Sequence, residues 1–165
     1  LNAVDQTDGV AVIVVGLDDA TPRRGRGGRV ADAVDAVDER QQKRADNDAY
    51  GHVNNVVYYS WFDTAVNALL IQHGQLDIHQ GSTIGLVIET QCNYFEPVTF
   101  PQVIEAGVRV GKIGSTSVRY EVGLFLQGEQ ACVAMGHFVH VYVDRQSRRP
   151  SPLSNEFVNF LETLK

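Results

Sequence analysis

The sequence predicts an α+β fold in which a curved antiparallel sheet wraps around one long central helix. Residues 56–72 carry apolar side chains at helical spacing, on a face wide enough to be covered by other structure. From residue 84 onward apolar residues recur at every second position, which indicates strands. Short turns rather than further helices separate these strands, and a run of strands beside a segregated helix is typical of the α+β class.

The central helix is predicted to be buried because two apolar stripes lie side by side on it. These stripes contain Val57, Trp61, Ala65, Ala68 and Leu69, and beside them Tyr58, Phe62, Val66 and Leu70. Asn54 or Asn55 is expected to cap the start of the helix, and Gly74 stands where a helix end often turns left-handed.

Four strands are predicted, over residues 84–95, 103–110, 116–126 and 132–143. Turns are expected at 111–114 and 127–129, and Ser154 is expected to cap a short final helix. Strands of this length leave unpaired edges, which two copies of a chain bury when they pair edge to edge. A homodimer is therefore expected.

Residues 1–38 are expected to form an N-terminal arm, mostly loop or partly disordered, ahead of a domain at 39–165. The Gly/Arg-rich segment at 21–29 is interpreted as a mobile linker rather than an RNA-binding tail, because it is one short block without aromatic residues. The apolar run at 10–15 is too short to span a bilayer, and it follows Asp5 and Asp8 rather than basic residues. A signal peptide is therefore not expected.

Composition and charge argue against several functional classes. The formal net charge of -6 disfavours general nucleic-acid binding, which depends on a basic surface. Cys92 and Cys132 have no metal-binding or redox spacing, so free thiols in a reducing cytoplasm are the favoured interpretation. We expect a cytoplasmic protein with no nucleic-acid partner and no membrane partner.

The segment at 46–55 combines acids, a glycine and two asparagines directly before the predicted helix. Asp46 and Asp48 supply carboxylates, and a helix N-terminus offers unpaired backbone N–H groups with partial positive charge. This combination suits a carbonyl group that becomes an oxyanion beside an attacking water molecule.

Other interpretations of the sequence motifs fit less well. A calcium loop starting at Asp46 would place Tyr50 and Val57 at ligand positions that require oxygen donors. His137 and His140 lie three apart on a predicted strand and so point to opposite faces, which disfavours a shared zinc ion. Residues 111–117 have no lysine directly after the second glycine, where a phosphate-binding loop requires one. No Gly-x-Ser-x-Gly nucleophile motif occurs in the sequence.

Four motifs together resemble the hotdog-fold acyl-CoA thioesterases of the 4-hydroxybenzoyl-CoA thioesterase-like branch. They are Asp-Asn-Asp-Ala-Tyr-Gly-His-Val-Asn-Asn at 46–55, Tyr-Tyr-Ser-Trp-Phe-Asp at 58–63, Asn-Tyr-Phe-Glu-Pro at 93–97, and the stretch at 137–143. The resemblance covers about residues 44–164. It implies a hotdog fold, active sites at the interface of a homodimer or a dimer of dimers, an acyl-CoA substrate, and no cofactor, since CoA is part of the substrate.

The resemblance also implies roles for individual residues. Asp48 matches the catalytic aspartate, acting as general base or nucleophile, and the backbone N–H of Asn55 matches the group that polarises the thioester carbonyl. The residues expected to bind substrate are Tyr50, Gly51, His52, Val53, Asn54 and Tyr58, and no metal ligand is implied. A non-catalytic module that binds acyl-CoA or acyl-carrier protein on the same fold is the alternative.

Two questions stay open at the level of sequence. The CoA phosphates need cations, and the candidates are Lys112, Arg119, Arg145, Arg148 and Arg149. The polar stretch at 39–44 also departs from the apolar first strand of the family. Either it is a solvated edge strand, or the apolar run at 10–15 takes that place, or residues 1–43 are not family sequence.

Overall fold

The computed structural model of the chain describes residues 3–7, 10–16 and 51–165. For the first two ranges it describes the backbone and its strand pairing but not the side chains. Its elements in order are β1 (Ala3–Thr7), β2 (Val10–Gly16), α1 (Asn55–Gln72), β3 (Thr83–Tyr94), β4 (Val103–Ile113), β5 (Ser117–Leu126), β6 (Cys132–Asp144) and α2 (Asn155–Glu162). The predicted central helix, four strands and final helix are all present, within a few residues of their expected bounds.

The described strands form one six-stranded antiparallel sheet in the order β1-β2-β4-β5-β6-β3. Strands β4, β5 and β6 are joined by consecutive hairpins, whereas β3 pairs with β6 and not with its sequence neighbour β4. Strand β3 therefore forms one edge of the sheet. Helix α1 contacts β2, β4 and β6. A sheet that packs against one central helix confirms the expected α+β class.

Helix α1 begins and ends where the sequence predicts. The side-chain oxygen of Asn54 accepts a hydrogen bond from the Val56 N–H at 3.2 Å, so Asn54 rather than Asn55 is the cap. Gly74 follows the helix with φ of 67°, in the left-handed region. Val57 is only partly buried, but the other residues of both apolar stripes are in the core, namely Tyr58, Trp61, Phe62, Ala65, Val66, Ala68, Leu69 and Leu70.

The turn expected at 111–114 lies further along the chain. Strand β4 continues through Ile113, and the Gly114 N–H donates to the Ser117 carbonyl at 2.7 Å to close the hairpin. An irregularity in the pairing with β5 lies between Val110 and Lys112, at the position of Gly111. The glycine therefore marks a bulge within the strand and not the turn itself.

The C-terminal helix α2 closes one side of the core. Ser154 caps it as expected, since its Oγ accepts a hydrogen bond from the Phe157 N–H at 3.1 Å. Phe157 and Leu161 are buried, and the Leu164 carbonyl accepts from the Val110 N–H at 2.7 Å. The chain end is thereby attached to β4.

The apolar run near the N-terminus belongs to the sheet. Strand β2 pairs with β4 in a continuous antiparallel register from Ala11 opposite Val108 to Gly16 opposite Val103. This pairing agrees with the alternative in which residues 10–15 take the place of the family's first strand. The stretch at 39–44 and the domain boundary expected between residues 38 and 39 lie outside the described residues, so that boundary stays a prediction. No helix in the described part of the chain is long and apolar enough to cross a membrane.

Candidate active site

A cleft of about 540 Å³ lies between the first turn of α1 and the end of β3. Its described lining comes from two stretches of the chain that are about 40 residues apart in sequence. The lining residues are His52, Val53, Asn54, Asn55, Tyr58, Tyr94, Phe95, Glu96 and Pro97. The cleft thus joins the loop-to-helix segment singled out in the sequence to a second segment at the sheet edge.

Backbone hydrogen bonds hold the two walls of the cleft in place. The Val53 N–H donates to the Val98 carbonyl at 2.8 Å, which connects the loop before α1 to the segment after β3. The N–H groups of Phe95 and Glu96 both donate to the Val133 carbonyl, at 2.9 and 3.1 Å. Both walls are therefore attached to the sheet and to each other.

The first backbone N–H groups of α1 differ in their hydrogen-bond partners. Asn54 takes two of the first N–H groups, since its side chain accepts from Val56 and its carbonyl accepts from Val57 at 3.0 Å. The N–H of Asn55 has no hydrogen-bond partner among the residues that the structure describes. Asn55 lines the cleft, so this space is bordered by a donor at the positive end of the helix that is unpaired within the described part of the chain.

Two tyrosines, one from each side of the cleft, lie beside this donor. The Tyr58 and Tyr94 rings meet edge to face with centroids 4.9 Å apart, and the Tyr94 hydroxyl lies 3.4 Å from the Asn55 carbonyl oxygen. Burial raises the pKa of both phenols, so each hydroxyl stays protonated at neutral pH. These two side chains therefore offer apolar ring surface and neutral hydroxyl groups to the cleft.

The structure brings five of the predicted site residues together in the cleft: His52, Val53, Asn54, Asn55 and Tyr58. Gly51 precedes them with φ of 81°, a backbone conformation that residues other than glycine rarely adopt. This conformation is enough to account for a glycine at this position. Asp46, Asp48 and Tyr50 lie outside the described residues. The catalytic role of Asp48 and the binding roles expected for the cleft residues remain predictions.

Sequence reasoning assigned no role to Tyr94, Phe95, Glu96 and Pro97, which form the second wall. A signal for them was present, since all four belong to the 93–97 motif that contributed to the family resemblance. The motif could not be placed next to the helix start from sequence alone, because its position depends on the pairing of β3 with β6.

None of the five cations considered for the CoA phosphates lines the cleft. Arg145 donates to the carbonyl oxygens of Gly81, Asp77 and Ile78, so it holds the loop between α1 and β3. Arg119 lies 3.1 Å from His137 Nδ1 and 3.8 Å from a Glu121 carboxylate oxygen. The remaining three candidates, Lys112, Arg148 and Arg149, are exposed.

The two histidines of β6 have different surroundings, which agrees with the expectation that they point to opposite faces. His137 Nε2 lies 2.8 Å from Glu89 Oε1. His140 instead packs against the Tyr120 ring in the core, and burial lowers its pKa. Among the described residues, no three His, Cys, Asp or Glu side chains are grouped closely enough to hold a metal ion.

The chain is similar to known proteins in both sequence and fold. The sequence profile of the Thioesterase superfamily matches residues 50–133. The crystal structure of the PA5185 protein from Pseudomonas aeruginosa is 54% identical and has a TM-score of 0.70, with 73% of this chain and 85% of that chain covered. No curated protein matches the chain.

Two more distant structures share the fold. DHNA-CoA thioesterase from Staphylococcus aureus is 15% identical with a TM-score of 0.66, covering 93% of this chain and 87% of that one. The SAV2348 protein from Staphylococcus aureus, solved in complex with CoA, is 13% identical with a TM-score of 0.65, covering 73% and 77%. Together with the sheet and helix described above, these similarities confirm the expected hotdog fold.

Proposed function

We propose, since the chain belongs to the thioesterase superfamily, that it is an acyl-CoA thioesterase, which hydrolyses a CoA thioester to a free carboxylic acid and CoA. The observation that carries this proposal is the Asn55 N–H, which lies at the start of α1 and in the lining of the cleft and has no hydrogen-bond partner among the described residues. Two structural relatives, one a DHNA-CoA thioesterase and one in complex with CoA, support the choice of CoA thioesters.

In the proposed mechanism the thioester oxygen accepts a hydrogen bond from the Asn55 N–H. The carbonyl carbon becomes tetrahedral when it is attacked, and its oxygen then carries negative charge. The N–H and the positive end of α1 stabilise that charge more than they stabilise the neutral thioester. One donor of this kind is worth about 10²- to 10³-fold in rate.

Asp48 supplies the second half of the proposed chemistry. It precedes Asn55 by seven residues, on the segment that leads into the described wall of the cleft. As a general base it removes a proton from water while the water oxygen attacks the carbonyl carbon; as a nucleophile it attacks directly and forms an anhydride that water then cleaves. In both routes the C–S bond breaks and CoA leaves as its thiol after taking up a proton.

The remaining site residues are proposed to bind the substrate. Tyr50, Gly51, His52, Val53 and Asn54 would line the path of the thioester along the loop, and Tyr58 would contact the acyl group. This assignment is supported by the position of 52–54 and Tyr58 in the cleft. The proposed reaction uses no separate cofactor, because CoA enters as part of the substrate.

We further propose that the protein acts as a homodimer or a dimer of dimers joined through β3. This strand lies at a sheet edge and exposes Leu86, Val87 and Ile88. Pairing two such edges would cover both the apolar side chains and the unpaired backbone groups. The interface would adjoin the cleft, because Tyr94 at the end of the same strand lines it.

A cytoplasmic location is part of the same proposal. Cys92 and Cys132 are free thiols, which are typical of a reducing compartment.

Thiol release from a panel of acyl-CoAs, followed with a thiol reagent, tests the proposed activity. We expect turnover by the parent and a loss of about 10²- to 10⁴-fold in kcat for Asp48→Asn, which keeps the side-chain shape and removes the base. Asp77→Asn, in a loop away from the cleft, is the matched control and should keep parental activity.

Two results would contradict the proposal. Full activity of Asp48→Asn on every substrate of the parent would remove the aspartate from the mechanism. Tight binding of acyl-CoA with no thiol release by the parent would favour the alternative, a non-catalytic acyl-CoA or acyl-carrier-protein binding module.

A further inference from the structure

Glu96 gives the cleft a negative charge that the proposed mechanism does not use. Of the described residues that line the cleft, it is the one with an acidic or basic side chain other than histidine. Its side chain is exposed, and its carboxylate makes no hydrogen bond or ion pair with any residue in the described ranges. Within the described part of the chain, nothing neutralises this charge at the cleft.

The backbone that carries Glu96 is held on both sides. The Glu96 N–H and its neighbour both donate to Val133, and two residues later the Val98 carbonyl accepts from Val53. Pro97 between them has a fixed φ, which further restricts the segment. The backbone of Glu96 is thus held on the wall opposite the start of α1.

The described lining of the cleft contains no lysine or arginine that would neutralise this charge or bind an anionic group. Tyr58, Tyr94, Phe95 and Pro97 present ring surface, which suits a neutral acyl chain. An acyl chain with a second carboxylate would meet a like charge and find no cationic partner in the described lining. At about 7 Å and an effective dielectric constant of about 20 to 80, that repulsion corresponds to about 3- to 60-fold in binding.

We infer that Glu96 is a specificity-determining residue that disfavours acyl groups carrying a negative charge. The inference rests on the proposed thioesterase function and adds a substrate class to it, namely neutral acyl-CoAs. The two acyl-CoAs of a matched pair share the whole CoA moiety, so a comparison between them isolates the effect of the acyl group.

The test compares butyryl-CoA with succinyl-CoA and hexanoyl-CoA with adipyl-CoA, as substrates of the parent and of Glu96→Gln. The parent should prefer the neutral member of each pair. Glu96→Gln should raise the kcat/KM of the dicarboxylic thioester relative to that of its neutral partner about 3- to 60-fold in each pair. Glu129 is an exposed acid on the turn after β5, and Glu129→Gln is the matched control. It should leave the ratio of kcat/KM between the neutral and the dicarboxylic thioester unchanged in both pairs.

A second measurement uses ionic strength. Because the repulsion is screened by salt, the preference of the parent for neutral esters should decrease as salt is raised, and that of Glu96→Gln should not. An equal change for both members of each pair, or no change at all in Glu96→Gln, would overturn the inference.

Failure of the inference and failure of the proposed function give different results. Hydrolysis of neutral esters with an unchanged ratio in Glu96→Gln would leave the thioesterase proposal intact and remove the role of Glu96. If no ester is hydrolysed, the thioesterase proposal fails. In that case the role of Glu96 is tested by calorimetry, which measures how tightly the parent and Glu96→Gln bind each thioester of a pair. If the ratio of the neutral to the dicarboxylic affinity is the same in both proteins, the role of Glu96 is overturned.

Discussion

Gly136 of β6 lies against the ring of Phe62 of α1, so closely that a Cβ atom at residue 136 would be 2.5 Å from Phe62 Cε2. The same Cβ would collide with the Gln91 carbonyl of the neighbouring strand β3. Phe62 is fully buried and its ring also meets Phe138 edge to face. The missing side chain at one position of β6 therefore lets the central helix and the edge strand approach the same point of the sheet.

Replacing Gly136 by alanine should destabilise the protein. The added methyl group overpacks a contact that includes backbone, so we expect the free energy of unfolding to fall by about 1–3 kcal/mol. Urea denaturation at fixed protein concentration measures the loss. Met135→Ala, at the exposed neighbouring position, should change the free energy of unfolding by less than about 0.5 kcal/mol. Equal stability of Gly136→Ala and the parent would show that the contact can relax.

Loss of the Asn54 cap should weaken the start of α1. Asn54→Ala removes the acceptor for the Val56 N–H and should lower the free energy of unfolding by about 1 kcal/mol. Asn54→Asp retains an acceptor oxygen and is expected to remain close to the parent. Thermal or urea unfolding followed by circular dichroism distinguishes the two variants, and similar losses in both would argue against a capping role.

The hydroxyl groups of Tyr120 and Tyr142 lie 2.7 Å apart in the core, so each is the other's partner. Tyr142→Phe would leave the buried Tyr120 hydroxyl without that partner, at a cost of about 1–3 kcal/mol in the free energy of unfolding. The double variant with Tyr120→Phe removes both polar groups and should cost less than the sum of the single changes. Additive costs in this double-mutant cycle would show that the two hydroxyls do not interact.

His140 should make stability depend on pH on the acidic side. Burial lowers its pKa in the folded protein, and the nearby Asp63 only partly opposes that effect. Below the ordinary histidine pKa of about 6.5 the unfolded chain binds a proton that the folded protein does not. The stability that comes from neutral His140 is therefore present above that pH and is lost as the pH falls towards the folded pKa.

The measurement compares urea midpoints of the parent and His140→Gln between neutral pH and about pH 5. The parent should lose more stability over this range than the variant. The ring of His140 packs against Tyr120, Phe138 and Tyr142, and these neighbours do not titrate in that range. Parallel pH profiles for both proteins would exclude His140 as the source of the effect.

The exposed edge of β3 should control assembly. Ile88 lies on this strand with 64% of its surface exposed, and a lysine there would place a charge in the proposed interface. We expect Ile88→Lys to weaken dimerisation at least about tenfold, which light scattering coupled to size exclusion measures. Ile78→Lys is the matched control, since Ile78 is 56% exposed but lies outside the strands. A monomeric parent would end the dimer proposal.

Much of the fold could be predicted because its signals are local. The stripes on α1, the Ser154 cap, and the alternation along β5 each depend on residues close in sequence, and the structure has all of them. The sequence left the cap of α1 open between Asn54 and Asn55, and the structure shows Asn54. The prediction of a turn at 111–114 was wrong because it, too, used only local signals. A glycine pair indicates a turn locally, whereas the continuation of β4 to Ile113 depends on its pairing with β5.

The sequence by itself determined the central helix, the glycine at its C-terminal end, the strand order along the chain, and the loop-to-helix motif with Asn55 at its end. Only the tertiary structure decided that β3 pairs with β6, that β2 pairs with β4, and that Glu96 therefore shares a cleft with Asn55. The physical reason is that helical and strand periodicity arises between near neighbours in the chain. Pairing across 40 or more residues depends instead on which arrangement of strands buries the most apolar surface and satisfies the backbone.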